Sequence, residues 1–430
     1  MTIPIDRLYQ YVEQCAQEIF THTVVIYRFW PHGSKNLNDL SPLRPFSWKN
    51  QKSLPRIFCC DQEPMDYNYH RDFYNHNDFE LERLLDQANL PWHPRRAITL
   101  FEKTIVLHSE LQSLNLEKYQ NDMFIPVYYW SHAIIARDWF RYAEYENFKK
   151  QTQTRFLIYN RAWSGTREYR LKFTELLIEN NLLSQCKTFC NPYENQIHYS
   201  DYEFKNSQWQ PTIKVENYVE STNATSNYSG DFDSDDYNST DIEIVLETLF
   251  DDNRLHLTEK SLRPIACGQP FMLMAPAGSL QYIKNYGFQT FDTVWDESYD
   301  TIVDPYQRMQ AVIATMKSIA NCSQQEYEKK ILQARMIADY NKKYFFSQKF
   351  FDTITNELKN NLAAGFDQLR KGNNFINWIQ CYESMLEDHN LAEFLQHRTD
   401  VNSITIQNIR EVLDQAHDLT ITPVQLESNG

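Results

Sequence analysis

Apolar residues recur over the first twenty positions at helical spacing, with Ile5, Leu8, Tyr9, Val12, Ala16 and Ile19 on one face. That spacing predicts a helix over 4–20. Thr23–Phe29 is a β-branched and aromatic run that reads as a buried strand. It ends in the turn signal Pro31-His32-Gly33-Ser34. Arg56–Cys60, a run within Ile98–His108, and Phe124–Tyr129 repeat the strand pattern, and 131–149 has helical spacing. A second alternation opens with the strand Arg155–Tyr159, the loop Asn160–Thr166 and the helix Arg167–Asn180. Ile242–Leu249 resumes a buried strand pattern. Ser261–Cys267 reads as a short helix closed by Gly268, Phe271–Ala275 as a strand, and Leu280–Tyr286 as a helix capped by Gly287. Residues 305–320, 324–343 and 346–364 are long helical patterns, and 365–430 is mixed helical. Strands that alternate with helices predict an α/β chain with parallel sheets. Ligands in such sheets bind at the carboxyl ends of the strands.

Composition narrows the class. A chain of 430 residues with 42% hydrophobic and 23% charged residues is ordinary globular material for two or three domains. It contains no apolar stretch long enough to span a membrane, and the N-terminus lacks a basic start followed by an apolar run. The expectation is a cytoplasmic protein without a membrane span. The formal charge of −15 disfavours a large duplex-binding surface. Eight cysteines without a CxxC pair predict free thiols in a reducing compartment. The polar stretch 219–240 has too few apolar residues to fold alone and predicts a mobile loop. Its sequons at Asn223, Asn227 and Asn238 follow from Ser/Thr/Asn richness. Nine glycines with neither a Walker A nor a GxGxxG motif exclude the standard nucleotide cradles, and twelve histidines without HExxH predict no metal site.

Four segments carry candidate chemistry. In Thr258-Glu259-Lys260-Ser261-Leu262-Arg263-Pro264, proline belongs in a helix's first turn, so the helix is expected to start near Ser261. Glu259 and Lys260 then lie at an open helix N-terminus, where free N–H groups favour an anion. Lys260 suits a diphosphate and Glu259 a ribose hydroxyl; two solvated charges on a capped helix are the plainer reading. Asn160, Arg161, Arg167 and Arg170 follow a strand and open a helix, and their guanidinium groups suit phosphate. Asp61-Gln62-Glu63-Pro64 ends an apolar strand, where a carboxylate can act as a general base or simply cap a turn. Tyr128-Tyr129-Trp130-Ser131-His132 could stack sugars or line an acceptor side, as could His32, although a histidine at a helix start is often a cap or core residue.

Together these segments resemble the α1,3-fucosyltransferase family and its divergent relatives in phage genomes. The likeness rests on Thr258-Glu259-Lys260, the helix after it, Gly268 and the strand Gln269-Pro270-Phe271-Met272, and it is clear over roughly 55–305. It implies that Glu259 contacts ribose and Lys260 the diphosphate, with Asn160 and Arg167 matching the family's strand-end Asn and helix-opening Arg. Asp61-Gln62-Glu63-Pro64 looks like the family's acidic loop, which leaves Glu63, the favoured base, and Asp61 both open. Pro126-Val127-Tyr128-Tyr129 resembles the run that leads to the hinge.

The fold implied is α/β and GT-B-like, with two Rossmann-like domains facing a cleft and additional C-terminal helices. Residues 1–150 would form the acceptor-side domain, 151–345 the donor domain and 346–430 a helical extension. The activity implied is inverting, metal-independent transfer from a nucleotide sugar, most nearly a GDP-sugar, to a glycan or other hydroxyl acceptor. No cofactor is bound. Donor contacts would come from Asn160, Arg161, Arg167, Arg170, Thr258, Glu259, Lys260 and Arg263, and acceptor-side contacts from His32, Tyr129 and His132. The rivals are a non-catalytic sugar- or nucleotide-binding protein on the same scaffold, and a phage DNA-base glycosyltransferase, against which the net charge argues.

Overall fold

The computed structural model describes residues 6–19, 25–28, 41–42, 56–59, 64–65, 104–114, 116–121, 124–215 and 232–371. Contacts divide the chain into two compact units. One comprises Tyr9–His108, Leu114–Val127 and Lys359–Gly430, and the other Met1–Leu8, Ser109–Ser113 and Tyr128–Leu358. Residues 128–150 therefore group with the second half of the chain, whereas the sequence pattern places the change of domain at 150/151.

The first unit takes in most of α1 (Asp6–Ile19), whose Val12, Cys15 and Ala16 are buried, as the helical spacing predicts. Its strands are β1 (Val25–Arg28), β2 (Ser41–Pro42), β3 (Arg56–Cys59), β4 (Thr104–His108) and, after the short α2 (Leu116–Asn121), β5 (Phe124–Tyr128). They form one sheet in the order β2-β1-β3-β4-β5. β1, β3 and β4 are parallel, and β2 is an antiparallel edge. Ile57 and Cys59 of β3 and Ile105, Val106 and Leu107 of β4 are buried, the near-continuous apolar run expected of strands covered on both faces.

The second unit runs through α3 (Ser131–Trp139), β6 (Thr154–Asn160), α4 (Tyr169–Glu179), β7 (Cys186–Cys190) and the small hairpin β8 (Tyr193–Glu194) and β9 (Ile197–His198). It continues through α5 (Ser234–Ser239), β10 (Thr240–Leu246), α6 (Glu259–Cys267), β11 (Phe271–Met274), α7 (Ser279–Asn285), α8 (Pro305–Asn321), α9 (Gln324–Phe346) and α10 (Gln348–Lys371), whose residues from Lys359 onward belong to the first unit. Its main sheet has the order β11-β10-β6-β7 with every pairing parallel. From β6 the chain passes to β7 on one side and then crosses to β10 on the other. The connections thus reverse direction between β6 and β10, a switch point of the kind at whose strand carboxyl ends ligands bind in open parallel sheets. All seven residues of β10 are buried. Its two acids are answered inside the fold. Asp241 meets Arg335 at 2.5 Å and the Tyr327 hydroxyl at 2.7 Å, and Glu243 meets Arg263 and the Tyr237 hydroxyl, both at 2.5 Å.

Three elements differ from the pattern. The helix over 131–149 stops at Trp139 and is followed by a single 3-10 turn, Arg141–Glu144. Beyond it the chain is drawn to the start of β10. Gln151 N donates to the Asn238 carbonyl at 2.8 Å, and Lys150 Nζ to the carbonyls of Tyr237 and Thr240 at 2.6 and 2.9 Å. The mobile loop expected over 219–240 is ordered from Phe232 onward, while 216–231 lie outside the described residues. Asp233 caps α5 by accepting Asp235 N at 2.8 Å. The buried Asp236 accepts from the Tyr159 hydroxyl at 2.7 Å and pairs with Lys187 at 2.5 Å. A polar segment folds here because its carboxylates find partners in the sheet rather than because it is apolar. Finally, α6 begins at Glu259, with Thr258 as its N-cap, and carries Pro264 in its interior. The proline lacks the N–H that would have met the carbonyl one turn earlier.

Near the end of α10 the helix backbone closes on the first unit's sheet. A Cβ added to Gly365 would lie 2.8 Å from Val127 Cγ2 and 3.3 Å from Ile105 Cδ1. Phe366 beside it is fully buried. Among the described residues no helix is long and apolar enough to cross a membrane.

Candidate functional site

The loop that leaves β6 forms one side of the switch point. Glu194, carried by the β8–β9 hairpin, accepts the backbone N–H of Trp163 at 2.6 Å and of Ser164 at 2.7 Å. Burial pushes the Glu194 carboxyl up, but these backbone donors and Arg167 outweigh it, and the carboxyl stays below its usual range. Trp163 Nε1 donates to the Asn191 carbonyl at 2.8 Å, and Gly165, at a φ of +69°, donates to the Tyr202 hydroxyl at 3.1 Å. The loop is thus pinned at three places. Arg161 is exposed on it, within the fields of Arg170, Glu259 and Glu194. Arg167 lies in the 3-10 turn Gly165–Arg167, and its Nε donates to the Ser164 carbonyl at 3.3 Å.

The other side is built where β10 ends, and its centre is a residue the sequence pattern does not single out. Glu247, with no exposed surface, directs its carboxylate onto the start of α6. Oε1 accepts Thr258 N at 3.0 Å, Ser261 N at 3.2 Å and the Ser261 hydroxyl at 2.5 Å. Oε2 accepts the Thr258 hydroxyl at 2.8 Å and Thr248 N at 3.1 Å. A helix N-terminus attracts an anion. Here the chain supplies one of its own, so the deepest amide donors of α6 are already engaged. The signal for Glu247 was present: it is a carboxylate immediately after a wholly buried strand, the same rule that singles out Asp61 and Glu63.

Beside this knot lies a second charged group. Glu259 Oε1 is 2.8 Å from Lys260 Nζ, and Glu259 Oε2 is 3.3 Å from His132 Nδ1. Lys260 Nζ also donates to the Thr258 hydroxyl at 3.3 Å and reaches the Thr248 hydroxyl at 3.5 Å. Glu259 and His132 are each 4% exposed, while Lys260 retains 18% of its side-chain surface. Burial raises the Glu259 carboxyl, but the Lys260 charge and the His132 contact overcome it and hold the group well below the usual carboxylate range. His256 packs edge-on to His132, with ring centroids 5.2 Å apart, and its Nδ1 lies 3.2 Å from the Ser109 carbonyl. Burial first, then the charge of His132, lowers His256 to about 3, so it is neutral at ordinary pH. His256 Nε2 is buried with no hydrogen-bond partner among the described residues.

The structure therefore brings Arg161, Thr258, Glu259, Lys260 and His132 to the carboxyl edge of one sheet. Four other singled-out residues are held inside the fold instead. Arg170 donates to the carbonyls of Ala162 at 2.7 Å, Leu246 at 2.6 Å and Glu247 at 3.1 Å, and so ties the β6 loop to the end of β10. Arg263 is 5% exposed, bound to Glu243 and stacked 4.4 Å from the Tyr159 ring centre. Asn160 Nδ2 donates to Arg170 O and Thr174 Oγ1, which docks α4 on β6, and Tyr129 has no exposed surface. In each case burial takes the side chain from solvent and the fold supplies partners, which a sequence window cannot reveal. His32, Asp61 and Glu63 lie outside the described residues.

No protein-family model, curated protein or solved structure matches the chain. The site must be read from its own chemistry. Among the described residues no cluster of three or more His, Cys, Asp or Glu side chains is placed to hold a metal ion. At the carboxyl edge of the sheet stand two cationic side chains, the exposed Arg161 and the part-buried Lys260, whose ammonium lies against Glu259 and the hydroxyls of Thr248 and Thr258.

Proposed function

We propose that the protein is a nucleotide-sugar-dependent glycosyltransferase of GT-B organisation, moving a sugar from a GDP-sugar-like donor to a hydroxyl acceptor with inversion. The observation that carries this reading is the reversal of strand order between β6 and β10, flanked by Arg161 on one side and Lys260 on the first turn of α6 on the other. A switch point of this kind in a parallel sheet receives nucleotides, and the paired cations suit a diphosphate. In this reading Lys260, with Arg161 and Arg167, offsets the charge that develops on the departing diphosphate. The acceptor proton goes to the acidic loop, Glu63 or Asp61, a role that rests on the family resemblance. Basic side chains rather than a metal ion balance the leaving group.

The test is nucleotide release from GDP-, UDP- and dTDP-sugars by wild type, Lys260→Ala and Glu63→Gln. One donor should turn over, and Lys260→Ala should lower kcat by about a hundredfold or more, the scale of a lost transition-state donor. Silence across all donors, with no thermal stabilisation by any nucleotide, overturns the reading. Nucleotide binding without turnover, unaffected by Glu63→Gln, would make the chain a non-catalytic binding protein.

A further inference from the structure

At the opposite edge of the same sheet, the amino ends of β6, β7 and β10 meet the first half of α9 around a cavity of about 530 Å³. That volume falls within the range of small-molecule sites, roughly 300–1000 Å³. β6 is seven residues long, so its length sets this cavity roughly 20 Å from the switch point, at the edge where open parallel sheets do not ordinarily take ligands. The buried Asp241 in its lining is fully answered. It accepts the Thr152 hydroxyl at 3.0 Å, the Tyr327 hydroxyl at 2.7 Å and Arg335 Nη2 at 2.5 Å. Arg155, half-buried in the same lining, is placed differently. Its Nη1 donates to the carbonyls of Ile319 and Ala320 at the end of α8, and its guanidinium lies 4.1 Å from the centre of the Tyr327 ring. Among the described residues no carboxylate pairs with it, and its Nε and Nη2 make no hydrogen bond. Arg335 Nη1 is likewise without a hydrogen bond among the described residues, on a side chain that keeps 36% of its surface exposed.

We propose that this cavity is a second binding site, for a small polyhydroxylated acid (a sugar acid or a sugar phosphate), with Arg155 holding its oxyanion. The site is separate from the nucleotide-sugar reading and does not rest on it. Nε and Nη2 of a guanidinium form the fork that takes two oxygens of a carboxylate or a phosphate. In Arg155 the Nη1 bonds and the Tyr327 ring hold the group before a ligand arrives, so little side-chain freedom is lost on binding. Arg335 adds a second cationic donor to the same lining. The body of the ligand meets uncharged groups. The exposed Gln153 and the half-buried Gln185 make no side-chain hydrogen bond among the described residues. An amide offers both donors and an acceptor, which matches the two roles of a hydroxyl. Ile331 and the exposed Leu332 give the α9 side an apolar surface for the C–H faces of a ring. Glu328, exposed and joined to the Gln324 amide at 2.9 Å, is the lining carboxylate that works against an anion.

Calorimetric titration of the full chain at low salt, with glucuronate, glucose-6-phosphate, glucose and inorganic phosphate as probes, tests this. Glucuronate or glucose-6-phosphate should bind at least about tenfold more tightly than glucose or inorganic phosphate, and the tighter of the two identifies the oxyanion. Arg155→Gln should weaken that acid by about tenfold or more, the scale of a charge-assisted hydrogen bond. Glu328→Gln removes an opposing charge at an exposed position and should tighten it by roughly two- to fivefold. Lys260→Ala, at the other edge of the sheet, should leave it unchanged. Should Arg155→Gln fail to fold, Gln153→Glu decides. It adds a negative charge at an exposed position and must weaken the acid by roughly two- to fivefold, and an unmoved affinity overturns the proposal. No binding heat from either acid at about 10 mM overturns it as well. Glucose binding as tightly as the acids denies the oxyanion its role, and inorganic phosphate binding as tightly denies the sugar its role; either result overturns the proposal. So does an affinity lost in Lys260→Ala and kept in Arg155→Gln, which would move the ligand to the carboxyl edge.

Discussion

Replacing Glu247 should release the start of α6 while leaving the rest of the sheet in place. Its carboxylate receives five donors, from Thr248, Thr258 and Ser261. In Glu247→Leu the hydroxyls of Thr258 and Ser261 can turn to other acceptors, but the backbone N–H groups of Thr258 and Thr248 cannot. Ser261 N keeps its 3.2 Å bond to the Thr258 carbonyl. Each stranded buried N–H costs about 1–3 kcal/mol. Removing the negative charge from the helix end costs about 0.5–2 kcal/mol more. These contributions are not additive, and about 3–5 kcal/mol of local stability is the expected loss. Glu247→Gln keeps one oxygen to receive the donors now on Oε1, and its amide faces Thr248 N and the Thr258 hydroxyl, of which the hydroxyl can turn, so it should cost about 1–2 kcal/mol. Hydrogen exchange read by mass spectrometry over 257–267 measures this directly, with α8 as the internal reference. At 1.4 kcal/mol per decade, Glu247→Leu should speed exchange by roughly two to nearly four decades, and Glu247→Gln by about one. Exchange in Glu247→Leu as slow as in wild type, or Glu247→Gln as damaging as Glu247→Leu, would refute the view that this carboxylate holds the helix start.

Gly365→Ala should lower the urea midpoint of the first unit. The new Cβ would meet Val127 Cγ2 at 2.8 Å, and overpacking of about 1–3 kcal/mol exceeds the helix-propensity gain of about 1 kcal/mol. Adding Val127→Ala should recover part of the loss; a midpoint that rises in Gly365→Ala alone contradicts the close approach. His256 should shape the acid limb of stability. Its pKa falls from 6.5 to about 3 on folding, so the unfolded chain binds more protons between those values. Stability from this group is complete above about pH 6.5 and is lost as pH falls toward 3, at up to about 1.4 kcal/mol per pH unit. Thermal melts of His256→Gln across pH 4–7 should show a flatter limb, and an unchanged limb would assign the acid sensitivity elsewhere.

The sequence by itself determined the α/β class and most of the elements of the second unit. β6, β10 and β11 are read from short apolar runs and α8 to α10 from long helical periods, because periodicity is local and the sheet's two covered faces leave it uninterrupted. The turn at Gly268, which closes α6 in the left-handed region, was legible for the same reason. What lay beyond it were the pairings over long separations. Nothing in a window around Glu259 shows that His132 will meet it, or that Glu247 will fill the anion-seeking end of α6. The arginines make the point most directly. Arg161, Arg170 and Arg263 are alike as letters, yet only the first is exposed. Arg170 is bound to three backbone carbonyls and Arg263 to a buried carboxylate. A guanidinium binds whichever oxygen burial places beside it, and burial is decided by tertiary packing. The fold class therefore follows from the order of apolar residues, while which charged side chains are buried against partners and which stay exposed follows from tertiary packing.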